Sequence, residues 1–212
     1  MLAQAAAFCY NVSMPYIIAG LGNPGEEYKN TRHNTGRIML EEFRVAHDFP
    51  EWKEDKKTKA LVSKDKIEKE SVLLIEPDNF MNNSGKSIAP FVTSKKQAEK
   101  TIVMYDDIDL PLGTIKISFN RSSGGHNGIE SIIKNLKTRE FVRVRVGVSK
   151  ITSKGLAKKP KGEEAVLKFL LGEFKKDELD ALKKISKKVS AALLMIILEG
   201  REKAMGEFNR AA

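Results

Sequence analysis

The sequence predicts a three-layer α/β domain. Three observations carry this: short apolar runs that stop at glycine or proline, intervening segments with helical apolar spacing, and the alternation of the two along the chain. Tyr16-Ile17-Ile18-Ala19-Gly20-Leu21 reads as a buried strand ending at glycine. Residues 37–47 place Ile38, Met39, Phe43 and Ala46 on one helical face. Residues 53–59 are charged and form a loop or a strand edge. Val72-Leu73-Leu74-Ile75 is a second buried strand, stopped by Pro77, and Ser84 or Asn83 then caps a short helix through Phe91. Thr101-Ile102-Val103-Met104-Tyr105 is a third strand and runs into Asp106-Asp107.

Beyond Pro111 and Gly113, residues 114–119 form another strand and residues 124–128 a turn. Asn127 is the expected N-cap of a helix whose Ile129, Ile132, Ile133 and Leu136 pack on the sheet. Val142, Val144, Val146 and Val148 alternate with Arg143 and Arg145, a period-2 strand with one buried and one basic face. Residues 152–162 are a lysine-, proline- and glycine-rich loop, expected to be mobile. The remainder is helical, through Val166, Phe169 and Leu170 and then Leu179, Leu182, Ile185, Val189, Leu193 and Ile196. Residues 1–13 are read as a disordered extension or the product of a start codon upstream of Met14, with a poorly formed targeting peptide as the alternative. The domain is therefore expected to occupy residues 14–212.

A chain of 212 residues, 41% hydrophobic, is long enough for one domain with a substantial core. Its 37 basic against 28 acidic residues leave a net charge of +9. That excess favours an anionic partner, nucleic acid first and a membrane surface second, with simply solvated lysine faces as the plainer alternative. The longest apolar run, residues 191–198, falls far short of the ~20 residues of a membrane span. The single cysteine, Cys9, excludes a disulfide framework or a cysteine-built zinc site and fits a reducing, cytoplasmic compartment.

Two tempting motifs fail on context. Gly20-x-Gly22-x-x-Gly25 follows a strand, as a dinucleotide loop should. Yet Pro24 removes an amide from that loop, residues 28–34 are polar and turn-like, and Glu41 and Glu42 fall inside a helix. No nucleophile elbow and no nucleoside-triphosphate loop is present. A metal site built from His33, Asp106 and His126 matches no tight ligand spacing.

What remains is a constellation. Gly22-Asn23, the segment from Pro77 to Asn82, and Asp106-Asp107 all follow predicted strands, where sites form in parallel sheets. His33 supplies an imidazole with an ordinary pKa of ~6.5, suited to taking and returning a proton near neutrality. Asp106 is placed to accept from one ring nitrogen and leave the other free to activate water. The amides of Asn23, Asn82 and Asn127 are placed to orient an acyl carbonyl or its oxyanion. Taken singly, each asparagine is as well explained as a turn or cap residue, and His33 as a loop residue. The chemistry rests on the set: water-mediated ester hydrolysis without a covalent nucleophile.

At these residues the chain resembles bacterial-type peptidyl-tRNA hydrolase. The likeness runs through Gly20-Leu21-Gly22-Asn23-Pro24-Gly25 with Tyr28, and Thr31-Arg32-His33-Asn34. It continues in Phe80-Met81-Asn82 with Ser84-Gly85, in Asp106 with Pro111 and Gly113, and in Gly124-Gly125-His126-Asn127-Gly128. Ala204-Met205 with Phe208-Asn209 also fits, so residues 16 to about 210 are covered. The resemblance implies a single α/β domain with a mixed twisted sheet, usually monomeric, with no obligate protein partner and without metal or other cofactor. It implies hydrolysis of the ester joining a peptide to the 3′ ribose of tRNA, with peptidyl-tRNA as the partner. On it, His33 is the base, Asp106 stabilises its working form, and Asn23 distinguishes N-blocked from free aminoacyl esters. Tyr28, Phe80, Asn82 and Asn127 contact the peptidyl and 3′-terminal part of the substrate. Arg145 corresponds to a phosphate-gripping position, with Arg143, Arg121, Lys116, Lys154, Lys158 and Lys159 as further contacts.

The chain departs from that pattern in three places. Ser118 stands where the family often has a phosphate-binding lysine, which shifts the grip to Lys116 or Arg121. Val148-Ser149-Lys150-Ile151 replaces a Gly-Arg-Pro ending, and Tyr105 precedes Asp106 where histidine is common. A non-catalytic RNA-binding relative of the same fold is the rival class, and the intact His33, Asp106 and Asn23 set favours the enzyme.

Overall fold

The computed structural model describes residues 14–152 and 156–210. The expectations for residues 1–13 and for Lys154 lie outside the described residues. The chain runs β1 (Tyr16–Gly20), α1 (Thr35–Ala46), β2 (Lys53–Asp55), β3 (Ala60–Ile67), β4 (Glu70–Pro77), α2 (Ser84–Ile88), α3 (Lys95–Glu99) and β5 (Thr101–Pro111). It continues through β6 (Ile115–Phe119), α4 (Asn127–Leu136), β7 (Val142–Ile151), β8 (Ala157–Lys158), α5 (Glu163–Leu170), α6 (Lys176–Glu199) and α7 (Arg201–Phe208). None of the described helices is long and apolar enough to cross a membrane.

The strands form one mixed sheet in the order β2-β3-β4-β1-β5-β7-β6, with β8 paired to β7. Its centre, β4-β1-β5-β7, is parallel, and its flanks are antiparallel. Central parallel strands are covered on both sides, so their residues are apolar on both faces. Ile18, Leu74, Ile102, Met104 and the valines of β7 pack under α1 and α6. Ile17, Ala19, Ile75, Val103 and Tyr105 pack under α2 and α4, through Ile88, Ile129 and Ile132. This is the three-layer α/β domain the sequence predicts.

Four local expectations are corrected. The third strand does not stop at Tyr105: β5 carries Asp106 and Asp107 within it, paired to Val146 and Gly147 of β7. The helix expected through Phe91 ends at Ile88 and gives way to a 3₁₀ turn, Ala89–Phe91, whose Pro90 favours a break. Asn83 takes the N-cap position but its side chain makes no capping bond, and Ser84 is the first helical residue, its hydroxyl donating to the Met81 carbonyl. The basic face of β7 is open only in part: Arg145 is half-buried, whereas Arg143 is closed in by the backbone around Arg121 and Arg139 to Phe141. Arg143 is fully buried, its guanidinium donating to the carbonyls of Arg139, Phe141 and Arg121 and stacking on the Phe141 ring at 4.1 Å.

Candidate active site

The site lies just past the carboxyl end of β1, where β5 runs on through Asp106. After β1 the chain turns at Gly25, whose φ of +108° suits a residue without Cβ, and reaches a 3₁₀ turn, Arg32–Asn34, that leads into α1. A second glycine fixes where that turn docks. A Cβ on Gly36 would stand 2.3 Å from the Met104 carbonyl oxygen, so only glycine lets the start of α1 touch β5 there. His33 precedes that contact by three residues and Asp106 follows it by two, and the two side chains meet. His33 Nδ1 lies 3.0 Å from Asp106 Oδ1 and 3.1 Å from Oδ2, and both residues are buried.

A second imidazole reaches the same carboxylate. His126 Nε2 is 3.2 Å from Asp106 Oδ1, and its ring lies against the ring of Tyr105. His126, not Asn127, is the N-cap of α4, its Nδ1 accepting from the Ile129 amide; Asn127 is the first helical residue. Because Nδ1 accepts there, the Nε2 of the neutral ring carries the proton and donates to Asp106. An ionised carboxylate only accepts, so His33 likewise donates from Nδ1 and keeps its Nε2 lone pair free.

The electrostatics follow from this arrangement. Burial pushes Asp106 up, but the two imidazoles and their hydrogen bonds outweigh it and hold the carboxyl well below the usual range. Burial pushes His33 down, yet the charge and hydrogen bond of Asp106 raise it above the ordinary histidine value on balance. The result is a buried imidazole made more basic by its partner. Burial also pushes the Tyr105 phenol up to about 12, so it stays neutral. His33, Asp106 and His126 bring one ligand atom each within 4.8 Å of one another, the one such metal-type trio among the described residues. Their hydrogen bonds to one another already account for that convergence.

Asn23 is held from several sides. Its backbone N–H donates to Asn34 Oδ1 at 2.8 Å, and its carbonyl accepts from Asn34 Nδ2 and from the Arg37 guanidinium. Its side-chain Oδ1 accepts from the Met81 amide at 2.9 Å. The amide oxygen is thereby occupied, and among the described residues no hydrogen bond holds the NH2 group. Asn82 follows Met81 and is exposed, as is Asn127 next to His126. Phe80 is 57% exposed and meets Tyr28 edge to face, with ring centroids 6.3 Å apart. An exposed Phe80 against a half-buried Tyr28 is a ready contact surface.

From Asp106 and His126 a cleft of about 620 Å³ extends past Lys116, Arg121 and Arg145. Arg145 is half-buried and pairs with Asp107, the neighbour of Asp106. Ser118 faces this region from β6 but is buried, while Lys116 and Arg121 are exposed. Of the sequence-predicted residues, His33 and Asp106 touch directly, and Tyr28 touches Phe80. Asn23 is linked through Asn34, Asn127 through His126 and Arg145 through Asp107, whereas Asn82 bonds only Asn83 among the described residues and lies further out. Sequence reasoning missed the bond of His126 to Asp106, the bracing of Asn23 by Asn34 and Arg37, and the pairing of Arg145 with Asp107.

Comparison with known proteins points one way. The family model described as Peptidyl-tRNA hydrolase matches residues 17–212. A peptidyl-tRNA hydrolase of Listeria welshimeri is 43% identical over 163 residues, 76% of this chain and 82% of the relative. One from a Thermoanaerobacter species is 39% identical over 195 residues, 92% of this chain and 99% of the relative. The crystal structure of peptidyl-tRNA hydrolase from Acinetobacter baumannii superposes with a TM-score of 0.80 at 28% identity, covering 93% of this chain and 95% of that one.

Proposed function

The chain belongs to the peptidyl-tRNA hydrolase family, and on that premise we propose that it cleaves the ester between a peptide, or an N-blocked aminoacyl group, and the 3′ ribose of tRNA. The contact of His33 Nδ1 with Asp106 carries the chemical assignment. Asp106 holds the imidazole in the tautomer whose Nε2 accepts a proton, and its charge favours the imidazolium that forms. His33 takes a proton from water as the oxygen attacks the acyl carbonyl. The tetrahedral intermediate draws on carboxamide donors, Asn23 Nδ2 foremost and Asn82 and Asn127 with it. On collapse the ribose oxygen leaves with the proton returned from His33, giving free tRNA and a free carboxylic acid. The chain's own groups complete this proton cycle.

Tyr28 and Phe80 form the wall against which the peptidyl end rests. Lys116, Arg121 and Arg145, lining the cleft, are the phosphate contacts, and Lys159 stands at its edge. Such contacts position the RNA without reading its sequence. The net charge of +9 supports a polyanionic substrate. The test is release of free tRNA from N-acetylaminoacyl-tRNA. His33→Ala should lower turnover by roughly 10²–10⁴-fold, the range of general-base contributions. Its tRNA affinity should stay close to wild type. Equal turnover in both proteins would reject the base, and absence of turnover in wild type would turn the assignment to a non-catalytic RNA-binding relative.

A further inference from the structure

Arg37 is oddly placed for a surface cation. It sits in the first turn of α1, where the helix dipole disfavours positive charge, and only 13% of its side chain is exposed. Its guanidinium makes contacts from three directions. NH1 donates to the Asn23 carbonyl at 3.1 Å, NH2 donates to the Pro77 carbonyl at 3.3 Å, and Nε lies 3.3 Å from Glu76 Oε2. Glu76 is itself buried near the end of β4, a position that would otherwise suit an apolar residue. The arm of Arg37 crosses Gly22, where a Cβ would come within 2.7 Å of its Cδ.

These contacts close a ring. Arg37 ties the loop after β1 to the end of β4, and the Met81 amide, a few residues beyond β4, donates back to Asn23 Oδ1. The separation of the two loops, and with it the direction of the free Asn23 NH2, depends on the fork of one guanidinium. A planar fork holds two carbonyls in fixed geometry, which a lysine cannot reproduce. Neither Arg37 nor Glu76 has a part in the proton cycle above.

We propose that Arg37, anchored by Glu76, is a positioning residue that aims the Asn23 carboxamide and thereby sets the preference for N-blocked over free aminoacyl esters. This rests on the reading that Asn23 senses the blocked nitrogen. The anchor is also sensitive to pH. Burial, with smaller contributions from Glu41 and Asp78, pushes the Glu76 carboxyl up to about 7 against the opposing pull of Arg37 and Arg44. Above that range Glu76 is ionised and holds the guanidinium, and below it the anchor is neutral.

The experiment compares kcat/KM for N-acetylaminoacyl-tRNA and for the same tRNA bearing a free aminoacyl ester. Wild type, Arg37→Met, Arg37→Lys, Glu76→Gln, Asn23→Ala and the Asn23→Ala/Arg37→Met double variant are measured at mildly alkaline pH, with a thermal melt of each. Arg37→Met should narrow the preference by roughly tenfold, the size of losing one charge-assisted hydrogen bond. Arg37→Lys should recover part of it, and the double variant should narrow it no further than Asn23→Ala alone. The gap between wild type and Glu76→Gln should shrink as pH falls through the Glu76 range, with titration of the substrate amine common to both proteins. If Asn23→Ala narrows the preference while Arg37→Met and Glu76→Gln slow both esters equally, Arg37 is only structural and the proposal is overturned. If Asn23→Ala leaves the preference unchanged, the reading of Asn23 fails and takes this proposal with it.

Discussion

Asp106 is the residue on which the site turns, because it accepts from two imidazoles at once and is almost wholly buried. Its charge is what raises His33 above the ordinary histidine value, against burial. Asp106→Asn keeps an acceptor but removes the charge, so burial then dominates and the His33 pKa falls. The acid limb of kcat/KM should therefore move to lower pH while kcat drops by roughly 10²-fold or more; a limb that stays in place would mean the observed titration is not that of His33. At this scale the sequence was informative where polar residues follow strand ends, as with Asn23 and His33. It grouped His126 with His33 and Asp106 only as a rejected metal trio and missed its cap role and its bond to Asp106, because the neighbouring Asn127 is the commoner cap type. Arg143 was misplaced for a related reason: alternation separates the two faces of a strand without saying which is covered.

The elements hold the pair in register through close backbone approaches. Gly36 is the tightest of these at the site, with α1 against the Met104 carbonyl and the Leu21 amide. Gly36→Ala should destabilise the fold by about 1–3 kcal/mol, as overpacking does. It should also slow turnover more than it weakens tRNA binding, because displacing α1 moves His33 relative to Asp106. A thermal melt with paired kcat and tRNA-affinity measurements checks this, and an unchanged kcat in a destabilised variant would detach the glycine from the chemistry. Most elements were legible from periodicity, notably β1, β4, β7, α4 and α6. The extension of β5 through Asp106 was not, since Asp106 and Asp107 read as a strand end and only pairing with β7 keeps them in the sheet. Strand β3, next to the short edge strand β2, was also hidden, because its exposed lysines and aspartate dilute the alternation.

For the molecule as a whole, the proposed reaction makes charge govern the approach of tRNA. Arg145 is already paired with Asp107, so a phosphate arriving at it exchanges one anion for another. Arg145→Ala should raise KM more than it lowers kcat, and should reduce the slope of log KM against log salt by about one. A change confined to kcat would remove Arg145 from the phosphate contacts. The position of Asp106 in a central strand has a wider consequence. The acid proposed to steer the base is part of the frame, its backbone paired to β7 within a central strand, whereas Phe80 and Asn82 sit on a turn and Asn127 at a helix start outside the sheet. Such a division lets the handling of cargo drift through changes in those turns while the bond-breaking apparatus stays as durable as the sheet that contains it.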